Sequence, residues 1–261
     1  MPRANRHYIP GQVWHITHRC HKKEFLLKFR KDRKRWQHWL FKAKKRFGLQ
    51  ILNYMVTSSH YHMVVIDGGD RDVLPKSIQL IAGRTAQEFN KRKKRRGAFW
   101  EDRYHATAIE SGEHFIQCMI YIDLNMVRAG VVNHPTEWPD YGYHEIVNPL
   151  PRYSIINHPK LMELAGIKSI ESLKNNYAEW IANSIQNENY EHQSKWTSSI
   201  AVGSENYIDE IKNILGIKAA GRRKIISQDA CELREPTSPY NDTLIPERVT
   251  LRQKNMHYWN I

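Results

Sequence analysis

Apolar and polar positions alternate from Gln12 to Arg19 (QVWHITHR), with β-branched residues among them, which predicts a strand. From Phe25 to Phe47 the period lengthens. Phe29, Trp36, Leu40, Ala43 and Phe47 recur at helical spacing, the other positions are dense in charge, and Gly48 suits the residue after a helix. Leu49 to Val56 reads as a second strand, Thr57-Ser58-Ser59 as a turn and His60 to Ile66 as a third strand, forming a hairpin. After a loop at Asp67-Gly68-Gly69-Asp70, Pro75 marks a first helical turn, and Ile78, Ile81, Ala82, Thr85 and Phe89 give that helix its apolar face. Arg103 to Ile109 predicts a fourth strand. Ser111 can cap a final helix running to Ala129, with Gly130 after it.

The order is strand, helix, strand, strand, helix, strand, helix. That is an α+β chain with the ferredoxin-like split βαβ order, an antiparallel sheet and one added helix. After Asn148-Pro149-Leu150-Pro151 the pattern changes, so we expect a catalytic unit over 1–149 and a mainly helical C-terminal extension over 150–261. Its helices are predicted near Ile170–Ile185 and Ser204–Leu215, followed by a basic loop from Lys218 to Lys224. The last thirty residues, with Pro236, Pro239 and Pro246, predict an extended tail.

Charge narrows the function. The 261 residues carry 40 Lys+Arg against 27 Asp+Glu, a formal net charge of +13, with the basic residues in runs. A polyanion partner follows. No apolar stretch approaches the roughly 20 residues of a membrane span. Met1 to Arg6 lacks the apolar core of a signal peptide, so the expected location is cytoplasmic. Cys20, Cys118 and Cys231 are far apart, which argues against a disulfide framework or a thiolate zinc site. Any metal here falls to His, Asn, Asp or Glu.

Three patterns carry possible chemistry. His60-Tyr61-His62 on a strand puts both imidazoles on one face, close enough to share a divalent ion, while Tyr61, Met63 and Val65 turn to the core. Two solvent-facing histidines on a hairpin edge would read the same way. On the last predicted helix His114, Gln117, Tyr121, Asn125 and Arg128 form a stripe beside the apolar one. This stripe offers a nucleophile, an amide ligand and a phosphate-binding cation, or simply a polar face. Finally, Trp36, Trp39, Phe99, Trp100, Tyr104 and Trp138 lie among the basic runs, available either to stack on unpaired bases or to fill the core.

The His-x-His strand, the segment FWEDRYHATAIESGEHF (Phe99 to Phe115) and YIDLNMVRAGVV (Tyr121 to Val132) together resemble the REP-associated tyrosine transposases, in the single-tyrosine transposase group of HUH endonucleases. The likeness spans residues 7 to 148. Trp196 to Lys224 and the closing YWNI resemble C-terminal regions of one branch. This resemblance implies His60 and His62 as paired ligands of a divalent ion, Mg²⁺ or Mn²⁺, Asn125 as a third ligand and Tyr121 as a nucleophile that forms a 5′-phosphotyrosine link. The family commonly has proline after this asparagine; here it is Met126. Likewise, Thr57-Ser58-Ser59 replaces the commoner Pro-Asn turn.

The resemblance also implies a DNA substrate, a short hairpin with a single-stranded flank. Candidate DNA contacts are Arg128, then Lys42, Lys44, Lys45 and Arg46, then Lys91, Arg92, Lys93, Lys94, Arg95 and Arg96, and finally Arg222, Arg223 and Lys224. One tyrosine per chain allows one linkage at a time, so a monomer working in sequential steps and a homodimer are both expected forms. Two rival readings stay open. One is a protein that binds structured DNA or RNA without cutting it; the other is a metal phosphodiesterase with water as nucleophile.

Overall fold

The computed structural model describes residues 8–66, 68–188, 190–227 and 229–235. The expected tail with Pro236, Pro239 and Pro246, and the closing YWNI, lie outside the described residues.

Strand β1 (Val13–Arg19) is followed by helix α1 (Arg30–Phe47), β2 (Gln50–Val56), β3 (His60–Ile66), α2 (Val73–Arg92) and β4 (His105–Ile109). These strands lie in the order β2-β3-β1-β4, with all three of those pairings antiparallel. The expected ferredoxin-like core is therefore present. Its two helices pack together on one face of the sheet, where the fully buried Trp36 ring meets Tyr61 at 4.6 Å. Alternation along β3 supplies that face with Tyr61, Met63 and Val65, all buried as the pattern predicts.

Two helix boundaries differ from expectation. Helix α1 starts at Arg30, not Phe25, and Phe29 is its extended N-cap, 55% exposed rather than part of the apolar stripe. The last core helix is not continuous from Ser111 to Ala129. It begins at Glu113, after Gly112 at φ +82°, and divides into α3 (Glu113–Asp123) and α4 (Asn125–Arg128) around Leu124. At that break the N–H of Met126 donates to the Tyr141 hydroxyl at 3.2 Å, a side chain inserted beside the helix ladder. The break therefore occurs without a proline.

The remaining helices are α5 (Tyr143–Val147), α6 (His158–Leu164), α7 (Ile170–Gln186), α8 (Lys195–Ser198) and α9 (Glu205–Leu215). Ser169 and Ser204 cap α7 and α9. The extension also contains three strands that its sequence pattern does not predict. These are β5 (Ser199–Gly203), β6 (Arg223–Ile226) and β7 (Cys231–Arg234), which extend the sheet to seven strands in the order β2-β3-β1-β4-β5-β7-β6. Strand β5 runs parallel to β4 and is buried at every position, so it shows no alternation to read. A Cβ on Gly203 would lie 2.4 Å from Tyr207 and 2.8 Å from Glu110, so the start of α9 approaches β5 as closely as glycine permits. Residues on both sides of position 149 thus build one sheet.

A buried polar network holds the extension to the core. The Tyr177 hydroxyl of α7 donates to Asp123 at 2.6 Å, and the Asn53 amide of β2 donates to the other carboxyl oxygen at 3.0 Å. Burial pushes the Asp123 pKa up to about 7. Replacing Tyr177 with Phe leaves one buried carboxyl oxygen without its donor. We expect a loss of about 1–3 kcal/mol of stability, read by chemical denaturation.

Candidate functional site

The face of the sheet opposite α1 and α2 is unusually polar. In register, Thr17 pairs with His62 and Arg19 with His60 on one side of β1, and His15 pairs with Thr107 and Thr17 with His105 on the other. Directly paired residues share a face, so four histidines gather there. Helix α3 crosses this face and brings Tyr121. Beyond the break, α4 brings Asn125 and Arg128.

The expected site residues come together. The His60 and His62 rings have centroids 5.0 Å apart, the His62 and Tyr121 rings 6.3 Å. The Asn125 amide nitrogen lies 3.3 Å from His62 Nε2. His62 is buried and His60 half-buried, so this pair is not a solvent-facing edge.

Hydrogen bonds determine which nitrogen of the His15 and His62 rings carries the proton. His15 Nδ1 lies 2.8 Å from the Trp196 carbonyl, which can only accept, so this nitrogen donates. Burial lowers the His15 pKa to about 3, so the ring is neutral and its Nε2 is an acceptor. His62 Nδ1, 2.9 Å away, must then be the donor. Burial also holds His62 well below the usual histidine range, which leaves its Nε2 as an acceptor facing Asn125. His60 Nδ1 lies within reach of two hydroxyls, Thr57 at 3.0 Å and Ser59 at 3.1 Å. The Thr57 hydroxyl donates to the His60 carbonyl at 2.9 Å and accepts from the Ser59 and His60 backbone N–H groups. Burial lowers His60 to about 4, so this ring is neutral too.

Tyr121 is packed between His62, the Trp196 ring at 6.1 Å and the Arg128 guanidinium, 4.2 Å from its ring centroid. Arg128 also donates to the backbone carbonyls of Tyr121 and Tyr190 at 3.4 and 3.3 Å. It therefore sits against the tyrosine ring, held by protein groups. Burial raises the Tyr121 phenol, and the Arg128 charge opposes that rise.

The three basic runs are dispersed. Lys91 to Arg96 ends α2 at the His60 end of the sheet; Arg92 pairs with Asp32 in the first turn of α1, and Arg95 bonds the Ala98 carbonyl at 2.8 Å. Lys42, Lys45 and Arg46 are exposed at the opposite end of α1, roughly 20 Å along the helix from its start, while Lys44 donates to the Ser154 carbonyl at 2.9 Å. Arg222 pairs with Glu235 at 3.5 Å and Lys224 with Asp209 at 2.8 Å, leaving Arg223 exposed on edge strand β6. The aromatics considered for base stacking are mostly core. Trp36, Phe99, Tyr104 and Trp138 are buried, and Trp100 stacks on His18 at 4.3 Å while donating to the Ala82 carbonyl. Tertiary packing overrides their proximity to charge in the sequence.

His15, Thr57 and Trp196 are not singled out as site residues by the sequence. Only the alternation of QVWHITHR hints at His15, by placing it on the face that β3 turns toward α3.

Fold and site together define an α+β protein with a paired-histidine strand facing a tyrosine-bearing helix. Residues 10–125 match the family described as "Transposase IS200 like". The structure of a REP-associated tyrosine transposase bound to a REP hairpin is 20% identical, with a TM-score of 0.49, covering 66% of this chain and 90% of that one. A candidate transposase from Deinococcus radiodurans R1 is 15% identical, with a TM-score of 0.33, covering 43% and 88%. None of the curated proteins matches this chain. No described helix is long and apolar enough to cross a membrane.

The geometry makes Arg128 the group that restrains the rise in the Tyr121 pKa. Replacing Arg128 with Met removes the cation but keeps an apolar contact, so the phenol should titrate at higher pH than in the unaltered chain. Selective ¹³C-tyrosine NMR across an alkaline titration checks the direction.

Proposed function

We propose that this chain is a metal-dependent single-strand DNA endonuclease and strand transferase that cleaves at hairpin sequences, with Tyr121 as nucleophile. The observation that carries this reading is the convergence of His60, His62, Asn125 and Tyr121 on one face, with both imidazoles neutral and the His62 Nε2 an acceptor. The REP hairpin bound by the similar transposase suggests the substrate class.

The donor set suits a divalent ion. Among the described residues no cluster of three or more His, Cys, Asp or Glu gathers as a metal site, so the ligands would be the two imidazoles and the Asn125 amide. Rotating that amide presents oxygen in place of nitrogen. Two nitrogen donors fit Mn²⁺ better than Mg²⁺, which prefers oxygen. When bound, such an ion supplies Lewis-acid polarisation of a non-bridging phosphate oxygen.

The chain's own groups do the rest. The Tyr121 phenol oxygen attacks phosphorus and the bond from phosphorus to the 3′ oxygen breaks. The products are a 5′-phosphotyrosine ester and a free 3′-hydroxyl, and the phenolic proton balances the one gained by the leaving oxygen. The ester stores the bond energy, so a later 3′-hydroxyl attack reseals or transfers the strand. Trp196 and Arg128 pack around the phenol, orienting it and excluding water. In this reading residues 1–149 carry the reacting groups, and 150–261 support them through Trp196. A cytoplasmic, nucleoid-associated location goes with a DNA substrate.

The direct test incubates the protein with an end-labelled hairpin oligonucleotide and Mn²⁺ or Mg²⁺, followed by a denaturing gel. Label should migrate with protein, and should vanish in Tyr121→Phe, in His62→Ala and on chelation. Cleavage without an adduct would instead identify a hydrolase, and binding without cleavage a non-catalytic binder. The role of His15 is tested separately. His15→Leu should weaken Mn²⁺ binding roughly ten- to a hundredfold, as removal of a partner behind a metal-bound histidine does. His15→Gln, able to accept from His62 and donate to Trp196, should retain most of the affinity. Calorimetric titration on the folded variants measures both.

A further inference from the structure

Two phenylalanines close together in the chain are exposed near the His60 end of the sheet. Phe25 is 59% exposed and Phe29 55%, on the turn between β1 and α1. A single exposed apolar residue needs no explanation, but two large rings on one short turn do. Nor is the turn loose. Leu26 and Leu27 are buried beneath it, and the Leu27 N–H donates to the Ser58 carbonyl at 2.9 Å. From α1, Arg33 donates to the carbonyls of Leu27 and Lys28 at 3.1 and 2.6 Å. The rings are thus displayed outward from a fixed backbone.

The surroundings are cationic. Lys28 and Arg30 flank the rings and are exposed, and Lys93 Nζ lies 5.3 Å from the Phe29 ring centroid, with Lys94 beside it. The nearby acid, Glu24, lies 3.5 Å from Arg95, which offsets its charge. The turn also adjoins the candidate site. Ser58, which holds Leu27, is followed by Ser59, whose hydroxyl lies 3.1 Å from His60 Nδ1.

Exposed rings among cations are the combination that holds unpaired nucleotides, since every base offers a face to stack on and every phosphate a charge to neutralise. We propose that Phe25 and Phe29, with Lys28, Lys93 and Lys94, form a stacking platform for the single-stranded DNA flank that leads to the candidate site. This rests on the strand-transferase reading and adds to it the surface that grips the unpaired strand. A protein partner is disfavoured by the charge, because an apolar protein contact gains nothing from a ring of lysines. The exposed isoleucines Ile214, Ile217, Ile225 and Ile226 are aliphatic and lie on α9, the turn after it and β6, while the exposed Tyr153 ring lies 6.0 Å from Phe41, toward the opposite end of α1 from Phe25 and Phe29.

Fluorescence anisotropy in EDTA, which reads binding without cleavage, tests the platform with three probes: a flanked hairpin, the same hairpin blunt-ended, and a mixed-sequence single strand. The Phe25→Ala/Phe29→Ala chain should bind the flanked hairpin and the single strand about ten- to a hundredfold more weakly. The blunt hairpin should bind unchanged, and Phe25→Trp/Phe29→Trp should restore affinity. Thermal melting checks that each variant folds. Undiminished affinity for the flanked hairpin overturns the proposal, as does an equal loss on both hairpins. A loss of self-association with DNA affinity intact overturns it in favour of a protein interface. If the unaltered chain forms a tyrosyl adduct while the alanine variant keeps its flank affinity, only the platform fails. If no adduct forms but flank affinity is lost, the platform stands and the transferase reading falls.

Discussion

The register of strand β1 between β3 and β4 is the constraint on which the site depends. Side chains alternate along a strand, so a slip by one residue against either neighbour would turn the whole set over. With Thr17 opposite His62 and His15 opposite Thr107, the polar set faces α3 and the apolar set faces α1 and α2. The apolar face enforces this arrangement. Burying Trp14, Ile16, Tyr61, Met63 and Val65 under two helices leaves no favourable alternative register, and the histidines are carried to the opposite side as a consequence.

Burial on that opposite side changes the chemistry of the groups it covers. An imidazole in water near neutral pH exists in two charge states and two tautomers. Here desolvation removes the charged form, and the Trp196 carbonyl fixes the tautomer of His15 and, through it, that of His62. The hydrogen-bonded line from the Trp196 carbonyl through His15 to His62 joins helix α8 of the extension to the first hairpin. The extension therefore acts on the site from behind, through orientation. Burial works against Tyr121, whose phenol is harder to ionise away from water, and the stacked Arg128 offsets part of that penalty.

Much of this was legible in the residues. The alternation of HYHMVVI specified both the strand and the common face of His60 and His62. The spacing of Tyr121 and Asn125 brought them to one region even though the helix between them breaks. The failures have physical causes. Phe29 fits a helical stripe by spacing, but helix α1 starts after it and the ring stays exposed. Trp36 and Phe99 lie among basic residues in sequence, yet neighbours along a chain point in different directions, and packing drew these rings inward. The break at Leu124 comes from Tyr141, a side chain too distant in sequence for local pattern to register. Strand β5 is five residues long and buried throughout, so neither length nor alternation announces it.

The sequence alone determined the ferredoxin-like order of elements, the basic character of the surface and the residue types available for chemistry, because these follow from local periodicity and composition. Tertiary structure decided which nitrogens carry protons, which cations stand free of the protein's own acids and carbonyls, and which aromatics face outward. Those properties are set by contacts between residues far apart in the chain, such as Trp196 with His15 or Arg92 with Asp32. No local pattern encodes a contact whose partner lies on another element, so the chemistry of the His60 and His62 pair became readable only once the sheet had closed around it.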